Sequence, residues 1–141
     1  MNASSHVPAA PSNAYAGDVT PAQAFEALQT QAAAQLVDVR TIPEWQAGTP
    51  DLQASGKKTH LIALKNAPDF EYNSSFLAEI TAVIPDKETP IYLLCKVGGR
   101  SADAAAQLTQ LGYQYCYNII GGFEGLEQAP GWKASQLPWG K

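Results

Sequence analysis

Apolar and polar positions follow two different periods along the chain, and the two periods predict strands that alternate with helices. Short runs rich in apolar residues predict strands at 36–40, 60–64, 91–94 and 113–120. Apolar residues at helical spacing predict helices near 21–34, 76–84 and 102–111, with a short helix near 123–126. This alternation is typical of an open α/β layer fold with a mainly parallel sheet.

Residues that favour helix ends and turns bound several of these elements. We expect Thr20 to cap the first helix, with Pro21 in its first turn and Gln23 completing a capping box. Pro85 ends the second predicted helix, and Gly112 is placed to cap the end of the third. A loop is predicted at 66–72, where a proline interrupts any helix.

The segment 91–101 combines an apolar strand, a cysteine, a glycine-bearing loop and the start of a helix. This order predicts that Cys95 lies at the carboxyl end of a strand, with the N-terminus of a helix directed at it. Ligands of parallel α/β sheets bind outside the carboxyl ends of the strands. The cysteine is therefore predicted to lie where such a fold places its functional site.

The residues around this cysteine favour an anion. A helix N-terminus offers unpaired N–H groups, and Lys96 and Arg100 add two positive charges beside the sulfur. Gly98 and Gly99 are expected to permit positive φ, so that backbone amides turn inward as an anion-binding nest. The alternative, a buried structural cysteine, leaves these neighbours unexplained. We expect a stabilised thiolate at Cys95, the form that acts as a nucleophile.

Composition excludes several classes of function. The 141 residues, 45% of them hydrophobic, suffice for one domain, and a net charge of −4 argues against nucleic acid as a partner. The longest apolar run is too short to cross a membrane. Two cysteines and two histidines provide neither a disulfide framework nor metal-ligand spacing. We expect no metal or other cofactor and a reducing compartment, the cytoplasm.

The first 17 residues differ in composition from the rest of the chain. They consist mainly of Ala, Ser, Asn and Pro, without the basic and apolar regions of a secretory signal. We expect a disordered or extended leader at 1–17 and one domain at 18–141.

The sequence Cys-Lys-Val-Gly-Gly-Arg-Ser at 95–101 resembles the active-site loop of rhodanese-type sulfurtransferases, which commonly contains Cys-Arg-x-Gly-x-Arg-Ser. Two further segments resemble the family: Asp-Val-Arg at 38–40, followed by a glutamate and a glycine, and the Gly-Trp and Leu-Pro pairs near the end. The resemblance spans about 18–138 and implies a three-layer rhodanese-like fold.

The resemblance also implies roles for individual residues. Cys95 would be the catalytic residue and would carry a sulfane sulfur as a persulfide, while Asp38 and Arg40 would support the sheet end near it without reacting. Lys96 replaces the usual arginine, which keeps the charge and loses the bidentate geometry. The donor would be bound by the loop residues Lys96, Val97, Gly98, Gly99, Arg100 and Ser101. For Ser101, whose hydroxyl could also bond the loop, we favour a helix cap.

The chain departs from the family at 49–59, where a polar stretch replaces the usual Gly-His-Ile-Pro-Gly-Ala. Such an insertion resembles a small bacterial branch of single-domain rhodaneses, and it affects the rim of the pocket. Trp45 could line that rim, but we favour an aromatic side chain packed beneath a loop. We expect His60 to be a hydrogen-bonded structural residue and Cys116 to be a packing residue within its strand, not a resolving thiol.

The resemblance implies a sulfurtransferase that moves sulfur from a small anionic donor such as thiosulfate, or from a protein donor, to a thiol or cyanide. Cysteine phosphatases are a weaker alternative, because they place five residues between cysteine and arginine and this chain has four. Leu94 also replaces the histidine that often precedes the phosphatase nucleophile. A non-catalytic binding, sulfur-carrier or redox-signalling module remains open.

Overall fold

The computed structural model describes residues 14–141, and its centre is a five-stranded parallel sheet. The strands of this sheet are β1 (Gly17–Val19), β2 (Gln35–Asp38), β4 (His60–Leu61), β7 (Ile91–Leu94) and β8 (Cys116–Ile119). Their order is β1-β8-β7-β2-β4, so β7, the strand that directly precedes Cys95, is central. The predicted parallel α/β fold is confirmed.

Helices and two small strand pairs complete the domain. The helices are α1 (Pro21–Thr30), α2 (Ile42–Gln46), α3 (Phe76–Val83) and α4 (Gly99–Leu111), with a 3-10 helix at Gln53–Ser55. The antiparallel pairs join β3 (Thr49–Pro50) to β9 (Trp139–Gly140), and β5 (Lys65–Asn66) to β6 (Glu71–Tyr72). The insertion at 49–59 is therefore tied to the chain end through β3 and β9.

Two hydrophobic clusters cover the two faces of the sheet and produce three layers. Alternate residues of a strand point to opposite faces, so neighbouring residues of β7 enter different clusters. One cluster joins a sheet face to α3 and α4; it includes Val37, Ile91, Leu93, Ile80, Ala105 and Leu108. The other joins the opposite face to α1 and the C-terminal segment; it includes Leu36, Tyr92, Leu94, Leu28, Phe123 and Trp132.

Local signals predicted several helix boundaries and missed the end of α1. Thr20 and Gln23 form the expected capping box, and Gly112 caps α4 in the left-handed conformation at φ 116°. Helix α1 ends at Thr30, four residues before the predicted end. There the Lys57 ammonium group, from the insertion, donates to the main-chain oxygens of residues 31 and 34 at 2.7 Å each. A contact this distant in sequence leaves no local signal.

Three other predicted elements differ in the structure. Residues 123–126 form a turn and a β-bridge from Leu126 to Ala129 instead of a helix, and Gly121, Gly122 and Gly125 all adopt positive φ there. The predicted loop at 66–72 is the hairpin of β5 and β6, which pairs Asn66 with Glu71. The last strand of the sheet is confined to Cys116–Ile119, shorter than predicted.

The start of the domain lies before residue 18. Tyr15 is buried in the core, the Ala16 amide donates to the Cys116 carbonyl oxygen, and Gly17 begins β1. Residues 14–17 of the predicted leader therefore belong to the folded domain. The remainder of that leader, 1–13, lies outside the described residues.

Candidate active site

Cys95 lies at the carboxyl end of β7, where the chain turns into the loop that precedes α4. Its side chain is almost fully buried, with the residue 1% exposed. The Gly98 N–H group donates to Cys95 Sγ at 3.0 Å. The strand, loop and helix thus follow in the predicted order, and an amide of the loop contacts the sulfur.

The two glycines of this loop have different roles. Gly98 has a φ of 121°, which residues with a Cβ rarely adopt, and it is the N-cap position of α4. Gly99 is the first helical residue, and a Cβ built there meets nothing within 4 Å. The expectation that both glycines supply positive φ is wrong for Gly99.

Ser101 contacts the sulfur directly, so its assignment as a helix cap is wrong. Its side chain makes no cap bond at the start of α4 and is fully buried. Ser101 Oγ lies 3.2 Å from Cys95 Sγ and 2.5 Å from Asn118 Oδ1. Asn118 escaped the sequence prediction, although a polar residue inside an apolar strand next to β7 is a signal that could have identified it.

Arg100 is paired with a carboxylate. Its guanidinium donates to Glu44 Oε1 at 2.9 Å and Oε2 at 3.0 Å, and it lies 5.3 Å from the ring centre of Phe70. Burial raises the Glu44 pKa, but the bonds from Arg100 and Thr41 outweigh it and lower the pKa to about 2. Burial lowers the Arg100 pKa, whereas Glu44 and the nearby Cys95 raise it, and the net shift is upward. Both groups stay charged near neutral pH.

Asp38 and Arg40 lie at the end of β2, the strand next to β7. The Arg40 guanidinium donates to both Asp38 carboxylate oxygens and to the Gly48 carbonyl oxygen, at 2.7 to 3.2 Å. Both side chains are buried, and Arg40 stacks 4.2 Å from the ring centre of Phe123. The pair ties the end of β2 to the start of the insertion.

The chain after the Gly121-Gly122 turn forms hydrogen bonds with the cysteine loop. The Phe123 amide donates to the Cys95 carbonyl oxygen at 2.8 Å, and the Glu124 amide donates to the Lys96 carbonyl oxygen at 2.9 Å. A Cβ on Gly122 would collide with the Cys95 carbonyl oxygen. The backbone of the cysteine loop is therefore fixed by a turn that requires glycine.

Comparison with known proteins identifies the family. The family model described as the STR4 middle domain matches residues 16–141. The protein named thiosulfate sulfurtransferase GlpE from Glaesserella parasuis is 27% identical over 121 residues, which cover 86% of this chain and 90% of that protein. The chain belongs to this rhodanese-like family.

Two other similarities cover most of the rhodanese-like domain. The crystal structure of Rv0390 from M. tuberculosis is 40% identical with a TM-score of 0.81, and the match covers 89% of this chain and 98% of that chain. An uncharacterized protein of Rickettsia rickettsii is 40% identical over 119 residues, 83% of this chain and 91% of its own. The predicted three-layer rhodanese-like fold is confirmed.

Lys96, Trp45 and the insertion at 49–59 are also singled out by the sequence. Lys96 is exposed and, with Arg40, Pro43, Glu44, Ala47 and Glu124, lines a cavity of about 310 Å³. Trp45 is half-buried, and its Nε1 is enclosed without a hydrogen-bond partner among residues 14–141. A separate cavity of about 370 Å³ lies along the insertion, between residues 49–61 and 140–141.

His60 and Cys116 are structural residues, as predicted. The His60 ring bonds the Gln35 side chain at 3.0 Å, and burial, then the charge of Lys58, lower its pKa. Cys116 is fully buried and is the register partner of Ile91. Because Ile91 lies four residues before Cys95, the two cysteines are separated by roughly 13 Å along the strands at the usual rise. A disulfide requires Cα atoms within about 7 Å. Burial raises the Cys116 pKa to about 12, although a bond from Thr109 opposes the shift.

Two further classes of site are missing from the described part of the chain. Among residues 14–141, no cluster of three or more His, Cys, Asp or Glu could hold a metal ion. In the same range, no helix has the length and apolar character needed to cross a membrane.

Proposed function

We propose that the protein is a sulfurtransferase that moves a sulfane sulfur from an anionic donor such as thiosulfate to a thiol or cyanide. One observation carries this proposal: Cys95 Sγ lies at the end of β7 and accepts a hydrogen bond from the Gly98 amide at 3.0 Å. The rhodanese-like family and the name of its GlpE relative support the same class of reaction.

In the first half-reaction, the Cys95 thiolate attacks the outer sulfur of thiosulfate. A bond forms between the two sulfurs, the original sulfur–sulfur bond breaks, and sulfite leaves with its electron pair. The loop amides and the N-terminus of α4 stabilise the persulfide that remains on Cys95. The bonds from Phe123 and Glu124 to the loop carbonyls keep these amides in place.

In the second half-reaction, a thiolate or cyanide attacks the terminal sulfur of the persulfide. The sulfur–sulfur bond breaks, the electron pair returns to Cys95 Sγ, and the product is an acceptor persulfide or thiocyanate. Dividing the transfer between two displacements is covalent catalysis, and ping-pong kinetics is its signature. Proteins that donate or accept sulfur would use the same chemistry.

The donor-binding residues follow from the loop. Lys96 is exposed at the rim and would attract the charge of the donor, together with the backbone of Val97, Gly98 and Gly99. Arg100 contributes less attraction than the sequence suggests, because Glu44 balances its charge. We place the reaction in the cytoplasm, since both cysteines are free thiols and reducing compartments preserve them.

A second function, a sulfur carrier or redox-signalling module without turnover, is favoured by the pairing of Arg100 with Glu44. A loop that has lost one free cation attracts small anionic donors less strongly. Such a module would load sulfur from a partner and release it slowly.

Loading followed by mass spectrometry tests both functions. Wild type incubated with thiosulfate should gain one sulfur on Cys95, lose it on addition of cyanide and release thiocyanate. Cys95→Ser should neither gain the sulfur nor release thiocyanate, and Cys116→Ser, the matched control, should behave as wild type. Loading without turnover would favour the carrier, whereas turnover that survives in Cys95→Ser would contradict both functions.

A further inference from the structure

A chain of hydrogen bonds connects the active-site sulfur with the edge strand of the sheet. Ser101 Oγ lies 3.2 Å from Cys95 Sγ and 2.5 Å from Asn118 Oδ1. Asn118 Nδ2 donates to Asp18 Oδ1 at 3.1 Å, and the Tyr15 hydroxyl donates to the same oxygen at 2.8 Å. Asp18 and Asn118 are register partners on β1 and β8, so their side chains share one face of the sheet.

The direction of every bond in this chain follows from Asp18. An ionised carboxylate only accepts hydrogen bonds, so Asn118 must direct its NH₂ group towards Asp18 and its carbonyl oxygen towards Ser101. A carbonyl oxygen cannot donate, and a serine hydroxyl has one proton. The Ser101 proton therefore goes to Asn118, and Ser101 presents a lone pair to Cys95 Sγ.

A lone pair directed at the sulfur stabilises the protonated thiol relative to the thiolate. The S–H group can donate to Ser101 Oγ, whereas a thiolate would face the oxygen without a proton between them. If the Ser101 hydroxyl rotated towards the thiolate, the buried Asn118 carbonyl oxygen would lose its donor, which is also unfavourable. On ionisation, the thiol proton leaves to the solvent.

We propose that Asp18 is a positioning residue that acts through Asn118 and Ser101 to disfavour ionisation of Cys95. The inference rests on the proposed function, in which Cys95 is the nucleophile. The Gly98 amide favours the thiolate, so the sulfur contacts both a donor from the loop and an acceptor from α4. Asp18 thereby limits the reactivity of the resting cysteine.

The Glu44–Arg100 ion pair near the sulfur keeps both charges over the pH range in which Cys95 is tested. Glu44 and Arg100 remain ionised above pH 5, because the Glu44 pKa is about 2 and the Arg100 pKa is raised. Burial and the Asp18 contact raise the pKa of Tyr15, which remains a hydroxyl donor. The other charged groups near the loop are Lys96, on the loop itself, and the Asp38–Arg40 pair, at the end of β2.

The test measures the rate of Cys95 alkylation by iodoacetamide between pH 5 and 10, with peptide mass spectrometry of the full chain. In Asp18→Asn, the Asn118 amide is free to turn its NH₂ group towards Ser101, and the Ser101 proton becomes available to the sulfur. We expect the midpoint of the pH profile to fall by about one pH unit. Asp86→Asn is the control: it removes the same charge from an exposed residue before β7 and should leave the midpoint unchanged.

Two further variants separate hydrogen bonding from simple loss of charge. Asn118→Ala keeps the Asp18 charge and removes the acceptor of the Ser101 proton, so its midpoint should also fall. In a Ser101→Ala background, Asp18→Asn should have no effect on the midpoint. A shift that persists in that background, or an unchanged midpoint in either Asp18→Asn or Asn118→Ala, would overturn the proposal.

The readout also separates this inference from the proposed function, because alkylation requires no sulfur donor and no turnover. If Cys95 never loads sulfur but the midpoint falls as expected, the proposed function fails and the role of Asp18 stands. If loading proceeds and the midpoint is unchanged in either variant, the role of Asp18 fails and the proposed function stands.

Discussion

Cys95 and Cys116 lie on or directly after neighbouring strands, are 1% and 0% exposed, and yet occupy opposite chemical environments. Cys116 lies at the amino end of β8 among apolar side chains, and burial raises its pKa to about 12. Cys95 lies past the carboxyl end of β7, where the Gly98 amide and the Ser101 hydroxyl contact its sulfur. Exposure does not distinguish the two thiols; their positions along the sheet do.

The difference follows from the geometry of parallel sheets. Helix N-termini in a βα unit meet the carboxyl ends of the strands, so a cysteine there is presented with unpaired N–H groups. A cysteine at the amino end of a strand has its backbone in the ladder and only side chains around its sulfur. The variants that follow either remove the backbone donor that contacts Cys95 and not Cys116, or weaken the ion pairs near the Cys95 end of the sheet.

The largest effect is expected from the loop glycine that donates to the sulfur. Gly98→Ala must leave φ 121° and displace the N–H group, so we expect sulfur loading to slow by roughly 100-fold, as when one preorganised donor is lost. Gly99→Ala is the matched control and should load at the wild-type rate, because Gly99 is helical and its Cβ would be free of contacts. Equal losses in both variants would show that the amide of Gly98 has no special role.

The next effect concerns stability at the Cys95 end of the sheet. Asp38→Asn leaves the buried Arg40 guanidinium without a counter-charge, so we expect the free energy of unfolding to fall by about 3 kcal/mol. Urea denaturation measures the change, and denaturant-free labelling of Cys116 should rise with the population of unfolded chains. Asp51→Asn, at an exposed position, should change stability by less than about 0.5 kcal/mol. A loss of similar size in both variants would refute the assigned role of the buried pair.

A smaller, pH-dependent effect is expected at Glu44. Its folded pKa, about 2, lies below its ordinary value of 4.5, so the pairing stabilises the fold above about pH 4. That contribution is lost as the pH falls towards 2. We expect Glu44→Gln to cost about 1 kcal/mol at pH 7, and the difference from wild type to vanish near pH 2. Urea unfolding at both pH values measures it; a difference independent of pH would contradict the ion pair.

The sequence predicted those parts of the site that depend on neighbouring residues. The Cys95 position, the Gly98 turn and the start of α4 follow from contiguous residues with strong local preferences. The pairing of Arg100 with Glu44 joins residues 56 positions apart, and the bond from Ser101 to Asn118 joins residues 17 apart. Such contacts depend on how the layers assemble, which no local pattern contains.

Ser101 shows most clearly that a local sequence pattern does not predict tertiary contacts. A serine in the first turn of a helix has a local role available as a cap, and that role was the prediction. In the structure, Gly98 occupies the cap position, and the serine faces the sheet, where Asn118 lies in the same row as Leu93. The tertiary contact overrides the local preference.

Native-state alkylation of the two cysteines tests the central claim most directly. Iodoacetamide is added to the folded wild type at pH 8, and peptide mass spectrometry follows both sites over time. We predict that Cys95 is labelled in the folded protein, whereas Cys116 is labelled only after denaturant unfolds the chain. Equal labelling of the two cysteines, or faster labelling of Cys116, would contradict the account.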